Sequence, residues 1–302
     1  VAKHIDFEVV ALSDYQLGEV AKLCGLLTVT LPEKRFELGV DFTPATTPAK
    51  VKLYKGARGS RIYGQDLPSL AEGKMVQLDP QCRRKVSWKT WDESRLEAWL
   101  DSLYEFFAGS MFVGLPPELL AVDLYGWHEP DNKDDINADG KVDAVDAAVW
   151  RQRMERVVAL TAGHPHVRYV GPNLTTWYLK NGGDPLAYWV DGFNIFTCDR
   201  YAHLGNPTAT TWPTPSEMFD RTADTAFNLG VQAEILEWGD AGGKPGDIAR
   251  APSTIRAQWI RDCIRYFYDS EVFVSANWWD IGADQLGGEE LVTMLTALQV
   301  QQ

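Results

Sequence analysis

From about residue 36 onward, short apolar runs of strand character alternate with amphipathic runs of helical period. That alternation is the mark of repeated βα units, which bury their apolar faces as a parallel sheet covered by helices. The strand-like runs are ELGVDF (37–42), GSRIYG (59–64), MVQLDP (75–80) or KVSWK (85–89), LLAVDLYGW (119–127), VRYVGPN (167–173), WVDGFNIFTCDRY (189–201), GVQAEILEWG (230–239) and EVFVSANWW (271–279). Between them, WDESRLEAWLDSLYEFF (91–107) places Leu96, Trp99, Leu100, Leu103 and Phe107 at helical spacing. Asp146 is positioned to cap a helix through Val158 with Val149, Met154 and Val157 on one face. Ser216 to Leu229 and Thr254 to Tyr268 read as further helices, the latter with Ile255, Trp259, Cys263 and Phe267 on one stripe. A short helix closes the chain. Eight such strands in this length predict a single (β/α)₈ barrel over 36–302, of the usual size of about 250 residues. Residues 1–35 fall outside the count and read as an N-terminal arm or linker.

Composition narrows the function. The chain has 302 residues, 45% of them hydrophobic, enough for one large core. A net charge of −13 argues against nucleic acid as a partner, because a phosphate backbone must be neutralised by Lys and Arg. No run is apolar and long enough to span a bilayer. Twelve Trp residues favour a carbohydrate partner, since flat aromatic faces stack on sugar rings. Cys24, Cys82, Cys198 and Cys263 lack zinc-site spacing and are compatible with two disulfides or four thiols. The chain begins at Val1 and carries no leader, which suggests a processed chain or an excised piece, monomeric and acting outside the cell or on a particle.

In a barrel of parallel strands, chemistry sits at the carboxyl ends of the strands. Glu129 ends the fourth strand and Glu237 the seventh. Two carboxyl groups across a barrel mouth are what retaining glycoside hydrolysis needs, at a separation of about 5–5.5 Å, with Glu129 as acid/base and Glu237 as nucleophile. Glu234 competes with Glu237. Their spacing of three puts them on opposite sides of a regular strand, and Glu237 lies nearer the carboxyl end.

YGWHEPD (125–131) and ILEWGD (235–240) resemble the strand-four and strand-seven signatures of the large clan of (β/α)₈ retaining glycoside hydrolases. His128 before the acid/base is similar to family 26, the β-mannanase-like group. The residues around it depart from the typical mannanase pattern, so the resemblance to the clan is closer than that to mannan specificity. The resemblance implies further site residues. Arg61 would belong to the second strand, and Trp88 to the third. Tyr201, in DRY, would hydrogen-bond the nucleophile. Trp238 flanks Glu237, and Trp278 or Trp279 would form the sugar-binding floor. The implied substrate is a β-linked polysaccharide or oligosaccharide. The competing reading is a catalytically silent carbohydrate-binding or structural barrel.

The insert at 131–146 carries a second motif. Asp135, Asn137, Asp139, Gly140, Asp143 and Asp146 match positions 1, 3, 5, 6, 9 and 12 of a calcium loop, with the Lys141 carbonyl at position 7. Oxygen donors at this spacing wrap one hard cation. Asp at the last position is similar to the loops of dockerin modules, of which this chain has a single copy. The expected role of the Ca2+ ion is structural, stiffening the loop that follows Glu129.

Overall fold

The computed structural model describes residues 36–41, 54, 59–61, 83–87, 122–125, 129–133, 141–162, 167–202, 212–240, 253–279 and 286–300. The chain divides between Arg35 and Phe36, and every described residue lies in the C-terminal unit. There, eight parallel strands form one sheet: β1 (Glu37–Asp41), β2 (Gly59–Arg61), β3 (Arg83–Ser87), β4 (Val122–Tyr125), β5 (Val167–Leu174), β6 (Ile195–Tyr201), β7 (Gln232–Gly239) and β8 (Phe273–Trp279). Strands β2 to β8 follow in sequence order, β8 pairs with β1, and β1 lies beside β2. The ring closes as a (β/α)₈ barrel, as the strand–helix alternation predicts. The third strand is the second of its two candidate runs. The helix expected at 91–107 lies outside the described residues.

The helices are α1 (Pro130–Lys133), α2 (Ala144–Thr161), α3 (Thr176–Lys180), α4 (Pro215–Leu229), α5 (Ser253–Asp269) and α6 (Gly288–Val300), with a 3₁₀ turn at Pro185–Tyr188. Local chemistry sets their ends. In α4, Thr214 and Glu217 form a reciprocal capping box, Pro215 occupies the first turn, and Gly230 takes the left-handed conformation (φ 69°) that ends the helix. Helix α2 starts earlier than its sequence suggests. Its cap is Asp143, which accepts from Val145 N at 2.7 Å, while Asp146 accepts from Asp143 N at 2.9 Å. Asp146 is therefore the reciprocal partner within the first turn, not the cap. Strand β6 is shorter than its apolar run, because Gly192 (φ 104°) turns the chain before Ile195.

The alternation along each strand separates two environments. Leu38, Val40, Phe196, Ile235, Ala276 and Trp278 face the helices and join Phe219, Trp259 and Phe267 in one apolar core. Helix α5 does not bury the stripe its spacing suggests at its first position. Ile255 is half exposed at 50%, and the neighbouring Arg256 is fully buried instead. The alternate residues Asp41, Asn173, Thr197, Asp199, Glu234, Glu237 and Asn277 are buried and polar. They line the inside of the ring above a small apolar cluster of Val170, Ile195 and Leu236. Cys198 and Cys263 are buried free thiols, and burial pushes Cys198 up to about 11.

Arg256 ties the outer layer together. Its Nη1 donates to Glu290 Oε2 at 3.0 Å, its Nε lies 3.4 Å from Asp240 Oδ2, and its guanidinium stacks over Trp278 at 5.4 Å. Removing one partner leaves a buried charge uncompensated, at a cost of about 3–5 kcal/mol. Glu290→Ala should therefore lower the melting temperature by roughly 5–15 °C. The triple variant Asp240→Asn, Arg256→Met, Glu290→Leu, which removes both carboxylates together with the guanidinium, should recover most of that loss, as read by thermal denaturation.

Candidate active site

Of the two carboxylates singled out by the sequence, Glu237 lies within the end of a strand, whereas Glu129 comes four residues beyond β4 rather than ending it. Glu237 lies two residues from the end of β7, only 2% exposed. Tyr201, at the end of β6, donates its hydroxyl to Glu237 Oε2 at 2.6 Å. Strand β7 is not regular at this point. Cys198 pairs with Ile235 and Asp199 with Glu237, so Leu236 is an extra residue. This bulge corrects the expectation that Glu234 and Glu237 face opposite sides. Both point into the ring, Glu234 at the level of Thr197 and Glu237 at the level of Asp199. Asn277 Nδ2 donates to Glu234 Oε1 at 3.5 Å and to Leu236 O at 3.2 Å, which ties the lower carboxylate and the bulge to β8.

Glu129 follows β4 at the head of the four-residue helix α1. It is the only described non-glycine residue with positive φ, at 51°. A left-handed backbone costs a side-chain-bearing residue roughly 1–2 kcal/mol, so surrounding bonds must hold it there. Glu129 N donates to Asn173 O at 3.1 Å, Asn132 N donates to Glu129 O at 3.1 Å, and Asn132 Nδ2 lies 3.3 Å from Glu129 Oε2. Asn173 in turn donates from Nδ2 to Asp199 Oδ2 at 2.9 Å. Asp131, two residues beyond Glu129, accepts from Thr175 N at 2.9 Å and from the Thr175 hydroxyl. Burial pushes the Asp131 carboxyl up to about 6, against the lowering effect of the Thr175 hydrogen bonds.

The aromatic residues divide. Trp279 faces inward at 8% exposure, in register with Asp41. Trp238 and Trp278 do not line a sugar-binding floor. Both are fully buried on the outer face, 4.7 Å apart edge to face, with Trp259 packed on each. Alternation explains this, since Trp238 is adjacent in sequence to inward-facing Glu237, and Trp278 to inward-facing Asn277 and Trp279. Arg61 ends β2, and its side chain, like Trp88 and His128, lies outside the described residues. Sequence reasoning passed over Asn173, Asp199, Asp131, Thr175 and Thr176. Each sits at the carboxyl end of a strand or just after it, which is the signal that could have found them. It also passed over Trp177, which is 69% exposed on α3 directly after β5.

Of the calcium-loop positions, 135–140 lie outside the described residues. Asp143 and Asp146 are brought together at the start of α2, where the fully buried Asp146 adds a second carboxylate to the same turn. Oxygen-only donors of this kind suit a hard cation. Among the described residues there is no cluster of three or more metal-ligating side chains. Nor is any described helix long and apolar enough to cross a membrane.

No protein-family model and no curated protein sequence matches this chain. Solved structures do. A family-128 (subgroup I) endo-β-1,3-glucanase from Amycolatopsis mediterranei, in complex with laminaritriose, is similar with a TM-score of 0.51 at 11% identity, over 86% of this chain and 99% of that one. The catalytic domain of a family-26 endo-β-1,4-mannanase from Bacillus sp. JAMB-750 is similar at 0.54 and 14% identity, over 88% and 86%. A family-128 (subgroup VII) oligosaccharide-binding protein from Trichoderma gamsii is similar at 0.52 and 11% identity, over 89% and 95%. The chain thus has the barrel fold of glycoside hydrolases.

The left-handed backbone at Glu129 is directly testable. Glycine adopts this conformation without the steric cost, so Glu129→Gly should be about 1 kcal/mol more stable than Glu129→Ala in urea denaturation. Equal stability of the two variants would mean that the turn relaxes once the carboxylate is gone.

Proposed function

We propose that the chain is a retaining glycoside hydrolase that cleaves a β-linked polysaccharide, with Glu237 as nucleophile and Glu129 as acid/base. The observation that carries this reading is the bond from Tyr201 to Glu237 at 2.6 Å, at the carboxyl ends of adjacent barrel strands. A hydroxyl donor aimed at a buried carboxylate favours the charged form, which is what a nucleophile must be. It also fixes which way the carboxylate faces, and orientation is worth much of the rate in a displacement at carbon. Glu129 is more accessible and sits on a constrained backbone, as suits a group that must reach a glycosidic oxygen and exchange protons with solvent.

In the proposed cycle Glu129 donates its proton to the leaving oxygen as Glu237 attacks the anomeric carbon. A covalent glycosyl-enzyme forms, and Glu129 then removes a proton from the water that releases the sugar. Trp177, exposed on the first helix after β5, offers a ring face to a glycan lying across the mouth. His128 before Glu129 favours family 26 as the nearest relative, and β-1,4-mannan and β-1,3-glucan are the first substrates to test. With a polysaccharide as the proposed substrate, we place the protein outside the cell or on a particle. The alternative is an oligosaccharide-binding barrel, as the Trichoderma protein is described; for this chain that reading means no turnover, and it predicts binding without new reducing ends.

Glu237→Ala should lose the first chemical step while still binding polysaccharide. Glu129→Ala should lose about 10²- to 10⁴-fold on polysaccharide but much less on an activated aryl glycoside, whose leaving group needs no proton. Azide should rescue Glu129→Ala with a β-glycosyl azide of retained configuration and Glu237→Ala with the inverted product, as identified by NMR. Wild-type turnover in both variants would remove these two residues from the mechanism.

The same reading includes one structural calcium ion in the insert. Asp135, Asn137, Asp139 and Asp146 would supply side-chain oxygens, Lys141 its backbone carbonyl, and Asp143 a carboxylate at position 9. Such an ion binds only the folded loop, so at 100 Kd it adds about 2.7 kcal/mol of stability. The melting temperature should rise with calcium and fall with excess EDTA. Identical melting in both would eliminate the ion.

A further inference from the structure

We propose that Asp131, Thr175 and Thr176 are positioning residues that form a bridge along the rim of the barrel mouth, from the turn after β4 to β7, and set the separation of Glu129 and Glu237. The proposal rests on the reading of those two residues as the catalytic pair, and assigns to the bridge the control of their distance.

The bridge is continuous in hydrogen bonds. At the acid/base end, the Asp131 carboxylate receives both Thr175 N, at 2.9 Å, and the Thr175 hydroxyl. The same hydroxyl accepts from Tyr178 N at 3.0 Å, so its one proton and a lone pair are both committed. Thr175 is 4% exposed and is also the cap of α3, which makes this end stiff. The next residue carries the bridge onward. Thr176 Oγ1 donates to Asp199 O at 2.7 Å and accepts from Tyr201 N at 3.1 Å, straddling the end of β6. Tyr201 then holds Glu237 through its hydroxyl.

A second path runs in parallel, from Glu129 N to Asn173 O and from Asn173 Nδ2 to Asp199 Oδ2. Both paths begin in the turn that carries the acid/base and end on the two β6 residues beside the nucleophile. Two separate connections between the same points resist shear as well as stretch. This matters because a retaining pair works at about 5–5.5 Å, and an inverting pair begins at about 6.5 Å. A shift of 1 Å is therefore enough to cost roughly 10²-fold in rate.

The chemistry of the bridge differs from simple packing, since it needs hydroxyls in both positions. Thr176→Val keeps the shape and removes the hydroxyl, whereas Thr176→Ser keeps the hydroxyl. On polysaccharide, Thr176→Val should lower kcat by roughly 10- to 100-fold with KM within about twofold, and Thr176→Ser should recover kcat to within about threefold of wild type. Asp131→Asn, which retains an acceptor for Thr175 N but loses the one for its hydroxyl, should fall in the same direction and serves if Thr176→Val does not fold. Crystal structures of wild type and variant should show the Glu129–Glu237 carboxyl separation altered by about 1 Å. An unchanged separation, or Val and Ser variants equally slow, overturns the bridge. If the wild-type protein cleaves no polysaccharide, the catalytic reading fails, and the separation measured in the variants still decides the bridge.

Discussion

Closing parallel strands into a ring forces every second side chain into a narrow interior, and everything else in this protein follows from what occupies it. In the described strands the outward positions are apolar apart from Arg200 and pack on the helices, while the inward positions above Val170 and Ile195 are acids, amides and hydroxyls. A buried polar group without a partner costs about 1–3 kcal/mol, so such an interior survives only if its members bond to one another. Three pairs do so, Asn173 on Asp199, Asn277 on Glu234 and Tyr201 on Glu237. The stability of the barrel is thereby left to its outer face, where Trp238, Trp278 and Trp259 interlock and Arg256 joins β7, α5 and α6.

The site arises where the strand alternation is broken. One extra residue at Leu236 turns Glu237 inward, one step above Glu234. A second irregularity between Val170 and Asn173 sets the end of β5, from which the Asn173 side chain reaches Asp199 and its carbonyl holds Glu129. Bulges re-aim side chains at strand ends, and here both serve the carboxyl-end mouth. The third departure is the left-handed Glu129 itself. A further register shift, which adds Val274 between Phe273 and Ser275, lies at the amino end of β8, away from these three.

This division explains what could be read from the sequence. The fold was legible because it depends on periodicity. Strands, helices and their order follow from apolar runs of period two or 3.6, and capping signals such as Thr214, Glu217 and Gly230 mark boundaries. Glu129, Glu237 and Tyr201 were legible as residues at strand ends. Their surroundings were not, because a bulge has no sequence period. A strict two-residue count sends Glu237 to the wrong face relative to Glu234. Trp278 reads as a sugar platform, and Trp238 as a site residue, only while their facing is unknown. Asp146 reads as a cap because the Asp143 alternative differs by local backbone geometry alone.

The donors inside the ring also bear on how such a site tolerates chemistry. Among the described residues, a phenol and two amides donate to the inner carboxylates Glu237, Asp199 and Glu234. Two of the described buried arginines point elsewhere, Arg200 to the Met218 carbonyl of α4 and Arg256 to Glu290 and Asp240. A cation bonded to Glu237 would stabilise its charge strongly and oppose the loss of that charge on forming a covalent intermediate. A phenol donor orients the carboxylate at lower cost, and a hydroxyl can swing its proton as the oxygen changes from charged to ester-like. A phenol on a strand end is therefore suited to the proposed nucleophile, a carboxylate that would alternate between anion and ester, and such a site also needs fixed geometry from the backbone. The left-handed turn at Glu129 and the paired hydrogen-bond paths through β5 and β6 supply it.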